Sequence, residues 1–193
     1  MSQGTALVVV AHPDDETIWM GGTILAHPKM HWTILSLCRA DDLDRAPKFY
    51  KVCREYGAKS IISDLEDEGI MNIRQSVPEI KKRIMELLPK KKFDYIFTHN
   101  HDGEYGHPRH KGVHKAMKDL LQEKNILTKK LFYFSYYRDL KTEIARPKER
   151  AHFFMPLTQE IFHTKKKLIH KMYGFTMRSF EYRSCATKET FAI

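Results

Sequence analysis

The sequence predicts an α/β protein with a Rossmann-like, three-layer fold around a mostly parallel sheet. Three observations predict it. Ala6-Leu7-Val8-Val9-Val10-Ala11 is a continuous apolar run of strand length, as expected of a strand covered on both faces. Strand-like and helix-like segments then alternate through the first two-thirds of the chain. At 193 residues and 42% hydrophobic, the chain can bury the core such a fold needs as one domain.

After the first strand, Ile18, Trp19, Gly22, Leu25 and Ala26 recur at helical spacing, with Gly21-Gly22 permitting close packing. Trp32 to Cys38 is the second strand. Leu43, Ala46, Tyr50, Cys53 and Tyr56 form a helical stripe that Gly57 stops. Ser60-Ile61-Ile62 is the third strand. Ser76-Val77-Pro78-Glu79 has the form of a capping box, with Val77, Ile80, Ile84 and Leu87 as the buried face behind it. Phe93 to Thr98 is the fourth strand, His110 to Glu123 a helix, and Leu131 to Tyr136 the fifth strand. Residues 1–136 are thus the α/β core of a single domain, 1–193. Residues 137–193 read as less regular, apart from a basic amphipathic helix near Gln159 to Tyr173. No G-x-G-x-x-G follows the first strand, so dinucleotide binding is unsupported.

Composition narrows the function classes. No apolar run approaches the roughly twenty residues of a membrane span, and the apolar start is too short and wrongly flanked for a signal peptide. Cys38, Cys53 and Cys185 are an odd, widely spaced set without C-x-x-C, as expected of thiols in the reducing cytoplasm. Lys plus Arg number 33 against 24 Asp plus Glu, a formal charge of +9 that favours anionic partners. The basic residues fall in short clusters on helical patterns and read as solvated faces or ends, so no nucleic-acid partner is expected.

Two loops carry the chemistry. His12-Pro13-Asp14-Asp15-Glu16 follows the first strand directly, where open α/β sheets bind ligands. An imidazole and three carboxylates there repel one another unless a cation or a cap relieves them. Capping of the next helix explains one aspartate and leaves the histidine and the second aspartate unexplained. Tyr105-Gly106-His107-Pro108-Arg109-His110 follows the fourth strand and opens a helix, with the two histidines three apart. His12, Asp15 and His110 then make a two-histidine, one-carboxylate metal set with open positions, suited to Zn2+, with Fe2+ as the alternative metal. The adjacent Asp14 argues for hydrolysis over oxygenase chemistry. His114 is expected to point away from this set, and His99 and His101 to lie on the surface.

These paired motifs resemble the signature of the PIG-L/LmbE-like family of zinc-dependent N-acetyl-sugar deacetylases, over roughly residues 5–136. The resemblance implies a Rossmann-like fold and removal of acetyl groups from N-acetylglucosamine-type sugar conjugates. It makes His12, Asp15 and His110 the zinc ligands, Asp14 the general base and His107, when protonated, an acid or oxyanion donor together with Tyr105. The chain departs from the family pattern in two places. Arg109 stands where the family carries an acid, and an arginine accepts no hydrogen bond from the neighbouring histidine. Either Asp102 or Glu104 takes over, or His107 is less basic and activity weaker, or Arg109 swings outward to hold a phosphate or carboxylate of an anionic conjugate. The family's Arg-Glu pair at the start of the second helix is incomplete here. Arg45 is either the contact to a substrate hydroxyl or a surface residue beside a capping Asp42 or Asp44.

Overall fold

The computed structural model describes residues 4–193. Five strands, β1 (Thr5–Val10), β2 (His31–Ser36), β3 (Lys59–Ile62), β4 (Lys92–Thr98) and β5 (Leu127–Phe134), run parallel. Two more from the last third, β8 (Phe153–Pro156) and β9 (Lys188–Ala192), extend the sheet antiparallel, giving the order β3-β2-β1-β4-β5-β9-β8. A separate ribbon pairs β6 (Tyr136–Asp139) with β7 (Ile144–Pro147).

Alternation along β1 builds both cores. Ala6, Val8 and Val10 face Ile18, Trp19 and Ile24 of α1 (Asp15–Ala26) and Phe49 and Val52 of α2 (Arg45–Glu55). Leu7 and Val9 face the other way, into a cluster with Ile80 and Ile84 of α3 (Ile73–Leu87) and Val113 and Met117 of α5 (Pro108–Gln122). Each such side chain, fully buried, contributes about 1.5–3 kcal/mol. Helices on both faces of a mostly parallel sheet are the three layers the sequence predicts.

The glycine pair of α1 is required by close approach. A Cβ on Gly22 would meet Leu157 Cδ1 at 2.4 Å, and one on Gly21 the Tyr56 hydroxyl at 2.6 Å. From β1 the chain moves outward through β2 and β3, then crosses back to lay β4 on the other side of β1. The crevice at the carboxyl ends of β1 and β4 is therefore the topological switch point, the usual ligand site of such sheets.

Several boundaries differ from the sequence reading. Helix α3 begins earlier, because Asn72 and Gln75 exchange side-chain to backbone hydrogen bonds at 3.0 Å and form the capping box; Ser76 instead bonds the Ile73 carbonyl. Leu43 is 94% exposed and precedes α2, which starts at Arg45. Strand β5 starts at Leu127 and ends at Phe134, before Ser135. The C-terminal helix divides into α6 (Gln159–Lys167) and a π-helical turn, Leu168–Met172. Within it Lys165 is fully buried, not solvated, and pairs with Glu189 of β9 at 2.6 Å. Among the described residues no helix is long and apolar enough to cross a membrane.

Candidate active site

The loop after β1 is held in an unusual conformation. Asp14 has φ 130° and ψ −28°, a region that costs an L-residue strain energy. It occupies the N-cap position of α1, yet its side chain caps nothing and takes Arg45 at 2.5 Å instead. Buried Glu16 fixes the strained peptide by accepting the Asp14 amide at 3.0 Å. The other oxygen of Glu16 accepts the Thr17 and Tyr173 hydroxyls at 2.6 and 2.7 Å.

Beside Asp14, three donor atoms form a nearly equilateral triangle. His12 Nδ1 lies 3.2 Å from Asp15 Oδ2, His110 Nε2 lies 3.3 Å from the same oxygen, and the two nitrogens are 3.4 Å apart. A tetrahedral ion with bonds of about 2.0–2.1 Å spaces its donors by roughly 3.3–3.4 Å. The remaining atoms of all three ligands are committed elsewhere. His12 Nε2 meets Asp67 Oδ2 at 3.0 Å, His110 Nδ1 meets Glu104 Oε2 at 2.6 Å, and Asp15 Oδ1 accepts the Trp19 indole N–H at 2.8 Å. Each imidazole thus donates outward to a carboxylate and turns a lone pair inward, the usual arrangement of metal-bound histidines. The set fits a first-row divalent cation.

Charge follows the geometry. Burial works against the Asp15 carboxylate, but His110 and His99 outweigh it and hold the group well below the ordinary range. Burial likewise opposes charge on His12, yet Asp15 and Asp67 pull it up to about 9, so a cation bound at Nδ1 would displace a proton there. Asp14 behaves oppositely: burial and then Asp15 raise it above the usual carboxylate value, while Arg45 and His12 pull it down by less.

The second motif enters through α4 (Gly103–Gly106) and the start of α5. His107 caps α5, its Nδ1 accepting the Arg109 amide at 3.3 Å. Burial and then the neighbouring imidazoles His110 and His12 push His107 down to about 4. Because Nδ1 accepts that amide, the ring's proton lies on Nε2, and the lowered pKa favours this neutral ring over the protonated form expected from sequence. The Tyr105 ring lies 5.3 Å from that of His110 and 5.7 Å from that of His107, and burial pushes its hydroxyl up. His12, Asp14, Asp15, Arg45, Tyr105 and His107 line one cleft of about 320 Å³, together with Trp19 and Phe180. His110 lies behind it, fully buried.

Three expectations are corrected. His99 is not a surface residue but fully buried, stacked 3.8 Å from His110. Burial lowers its pKa while Glu104 and Asp15 lift it to about 9. The hydrogen bonds favour the neutral ring nonetheless, because Nε2 accepts the Ala11 amide at 3.0 Å while Nδ1 donates to Glu104 at 2.7 Å. Arg109 does not swing outward: it is 4% exposed, bonds Glu66 at 3.1 Å and faces Asp67 at 3.8 Å, two acids that draw its guanidinium inward. Neither candidate acid reaches His107; Asp102 pairs with Lys148, and Glu104 serves His99 and His110.

His101 is exposed, and His114 turns away to bond the His99 carbonyl at 3.1 Å. At the start of the second helix Asp42 accepts the Asp44 and Arg45 amides at 2.9 Å, and the Arg45 side chain lines the cleft, over the Phe175 ring. Asp67 is the site residue that sequence reasoning missed. Its available signal was the acidic run Asp64–Glu68 at the carboxyl end of β3.

Residues 7–121, which contain both motifs, match the family model PIG-L, described as GlcNAc-PI de-N-acetylase. The chain belongs to the PIG-L family. Among solved structures, a protein of Thermus thermophilus described only as conserved superposes with TM-score 0.67 at 16% identity, over 97% of this chain and 93% of that one. The N,N'-diacetylchitobiose deacetylase of Pyrococcus horikoshii gives 0.64 at 16%, over 97% and 82%. The 4-carboxy-2-hydroxymuconate hydratase of Pseudomonas putida gives 0.63 at 15%, over 93% and 82%. These likenesses show that the PIG-L chain shares their fold. A hydratase and a deacetylase on one fold also show that the reaction must be argued from the site.

Proposed function

We propose that this protein is a zinc-dependent N-deacetylase of an N-acetylglucosamine-type sugar conjugate. The observation that carries the reading is the donor triangle of His12, Asp15 and His110 with Asp14 at its edge, in a PIG-L family chain. Zinc held there would supply Lewis acidity, polarising an amide carbonyl and acidifying water at neutral pH.

The other roles fall to the chain itself. Asp14 takes the proton of the attacking water and delivers it to the departing sugar amine, so that amide and water become acetate and amine. Its raised pKa suits that return of the proton. The neutral His107, through Nε2–H, and the Tyr105 hydroxyl donate to the carbonyl oxygen as charge gathers on it. Arg45 holds the Asp14 carboxylate and is placed to meet a substrate hydroxyl. The buried, unpaired thiols Cys38, Cys53 and Cys185 suit the cytoplasm.

Elemental analysis coupled to acetate release from N-acetylhexosamine conjugates tests the reading. Acetate release that rises with zinc occupancy supports it. A zinc-loaded protein releasing no acetate across the series, or one whose release is unchanged in Asp14→Asn, overturns it.

A further inference from the structure

We propose that a second cavity, separate from the cleft above, is a binding site for a phosphate-bearing small anion. It has a volume of about 460 Å³ and shares no lining residue with the candidate active site. Four parts of the fold converge on it: the carboxyl ends of the neighbouring strands β4 and β5, the face of α5 carrying residues 114 and 118, the segment joining β7 to β8, and the end of β9 with Ile193. They contribute Lys118, Lys148 and Arg150 and the imidazoles His101, His114 and His152, with no aspartate or glutamate in the lining.

The charge is available for a ligand. Lys148 pairs with Asp102, whereas among the described residues Lys118 and Arg150 have no carboxylate within 4.0 Å. Two of the imidazoles are already oriented. His114 Nδ1 donates to the His99 carbonyl at 3.1 Å, and His101 Nδ1 to Asn100 Oδ1 at 2.7 Å, so each neutral ring has Nε2 left as an acceptor for the P–OH of a protonated phosphate. The Tyr133 ring, 4.8 Å from that of His114, adds a hydroxyl to the same wall. Clustered cations in a concave site suit phosphate oxygens, which accept several charge-assisted hydrogen bonds at once. A nucleic-acid backbone is served instead by an extended basic stripe. Arg109, buried against Glu66, is not available to an anion, so this cavity is where the basic composition acquires a specific use.

Calorimetric titration of the whole, zinc-loaded chain with inorganic phosphate, at constant ionic strength set with chloride, tests the proposal. The exposed pair Lys118→Ala plus Arg150→Ala removes two cations without touching the core. The wild type should bind one phosphate saturably, the double variant about tenfold more weakly or worse, and phosphate should perturb the ring resonances of His101 and His114. Absence of saturable binding, equal binding in the double variant, or perturbation of His107 instead of His114 would overturn the site. Tighter binding of an oligonucleotide than of phosphate, lost in the same variant, would replace it with a nucleic-acid surface.

Discussion

His12 Nε2 meets Asp67 Oδ2 at 3.0 Å, so a residue from the loop after β3 fixes the orientation of a ring at the end of β1. Against burial, His12 first, and Arg39 at 3.2 Å after it, hold the same carboxylate below the usual range, while Arg109 Nε faces it at 3.8 Å. The arginine that stands where an acid was expected therefore lies against the acids Glu66 and Asp67. Replacing Asp67 with Asn should weaken zinc affinity about 10–100-fold with the fold intact. Competition against a chromophoric chelator, alongside circular dichroism, reads this directly; unchanged affinity would remove Asp67 from the metal's support.

The Asp14 side chain hydrogen-bonds none of the three proposed ligands, its partner being Arg45. Asp14→Asn should therefore lower kcat by about 10²–10⁴-fold while zinc stoichiometry stays unchanged. Elemental analysis and acetate release on one preparation separate the two effects.

Arg45 lowers the pKa of Asp14 against the upward push of burial and Asp15. Removing the cation raises that pKa further, and a general base works only when ionised. The acid limb of the kcat/KM profile should consequently move to higher pH in Arg45→Ala, with activity lost first at low pH. A limb that stays put, or moves to lower pH, would separate Arg45 from Asp14 function.

Glu189 is fully buried and accepts the Gly22 and Thr23 amides at 2.8 and 2.7 Å and the Lys165 ammonium at 2.6 Å. Lys165→Met leaves that carboxylate buried without its counter-ion, which should cost about 3–5 kcal/mol. Urea denaturation monitored by tryptophan fluorescence measures it.

The parallel core was legible in the sequence because its strands are apolar on both faces and its helices carry full stripes, as β1 and α3 do. Strand β9 was not. Its Glu189 and Thr190 are buried polar residues, and Lys-Glu-Thr-Phe-Ala reads as a solvated segment until α1 supplies the amides that Glu189 accepts. The site divides in the same way. The residues of the two motifs appear together because each motif is one stretch of chain. The partnership of His12 with Asp67 spans 55 positions and exists only once β1 and β3 lie in one sheet. Glu104 was legible as an acid near the second motif, but its choice of His110 and His99 over His107 depends on its own backbone, at φ 60° and ψ −61°.

The Glu189 contacts also set an order of events during synthesis. Helix α1 carries Asp15, and two amides in its middle await a carboxylate 167 and 166 positions further along the chain. A ribosome-bound chain that has already exposed both histidine motifs still lacks that partner. A fragment trimmed to the first two-thirds would keep every proposed zinc ligand and lose the clamp that seats the helix bearing one of them. The proposed metal triangle therefore gains this clamp only after Glu189 has emerged, long after its own three residues have been made.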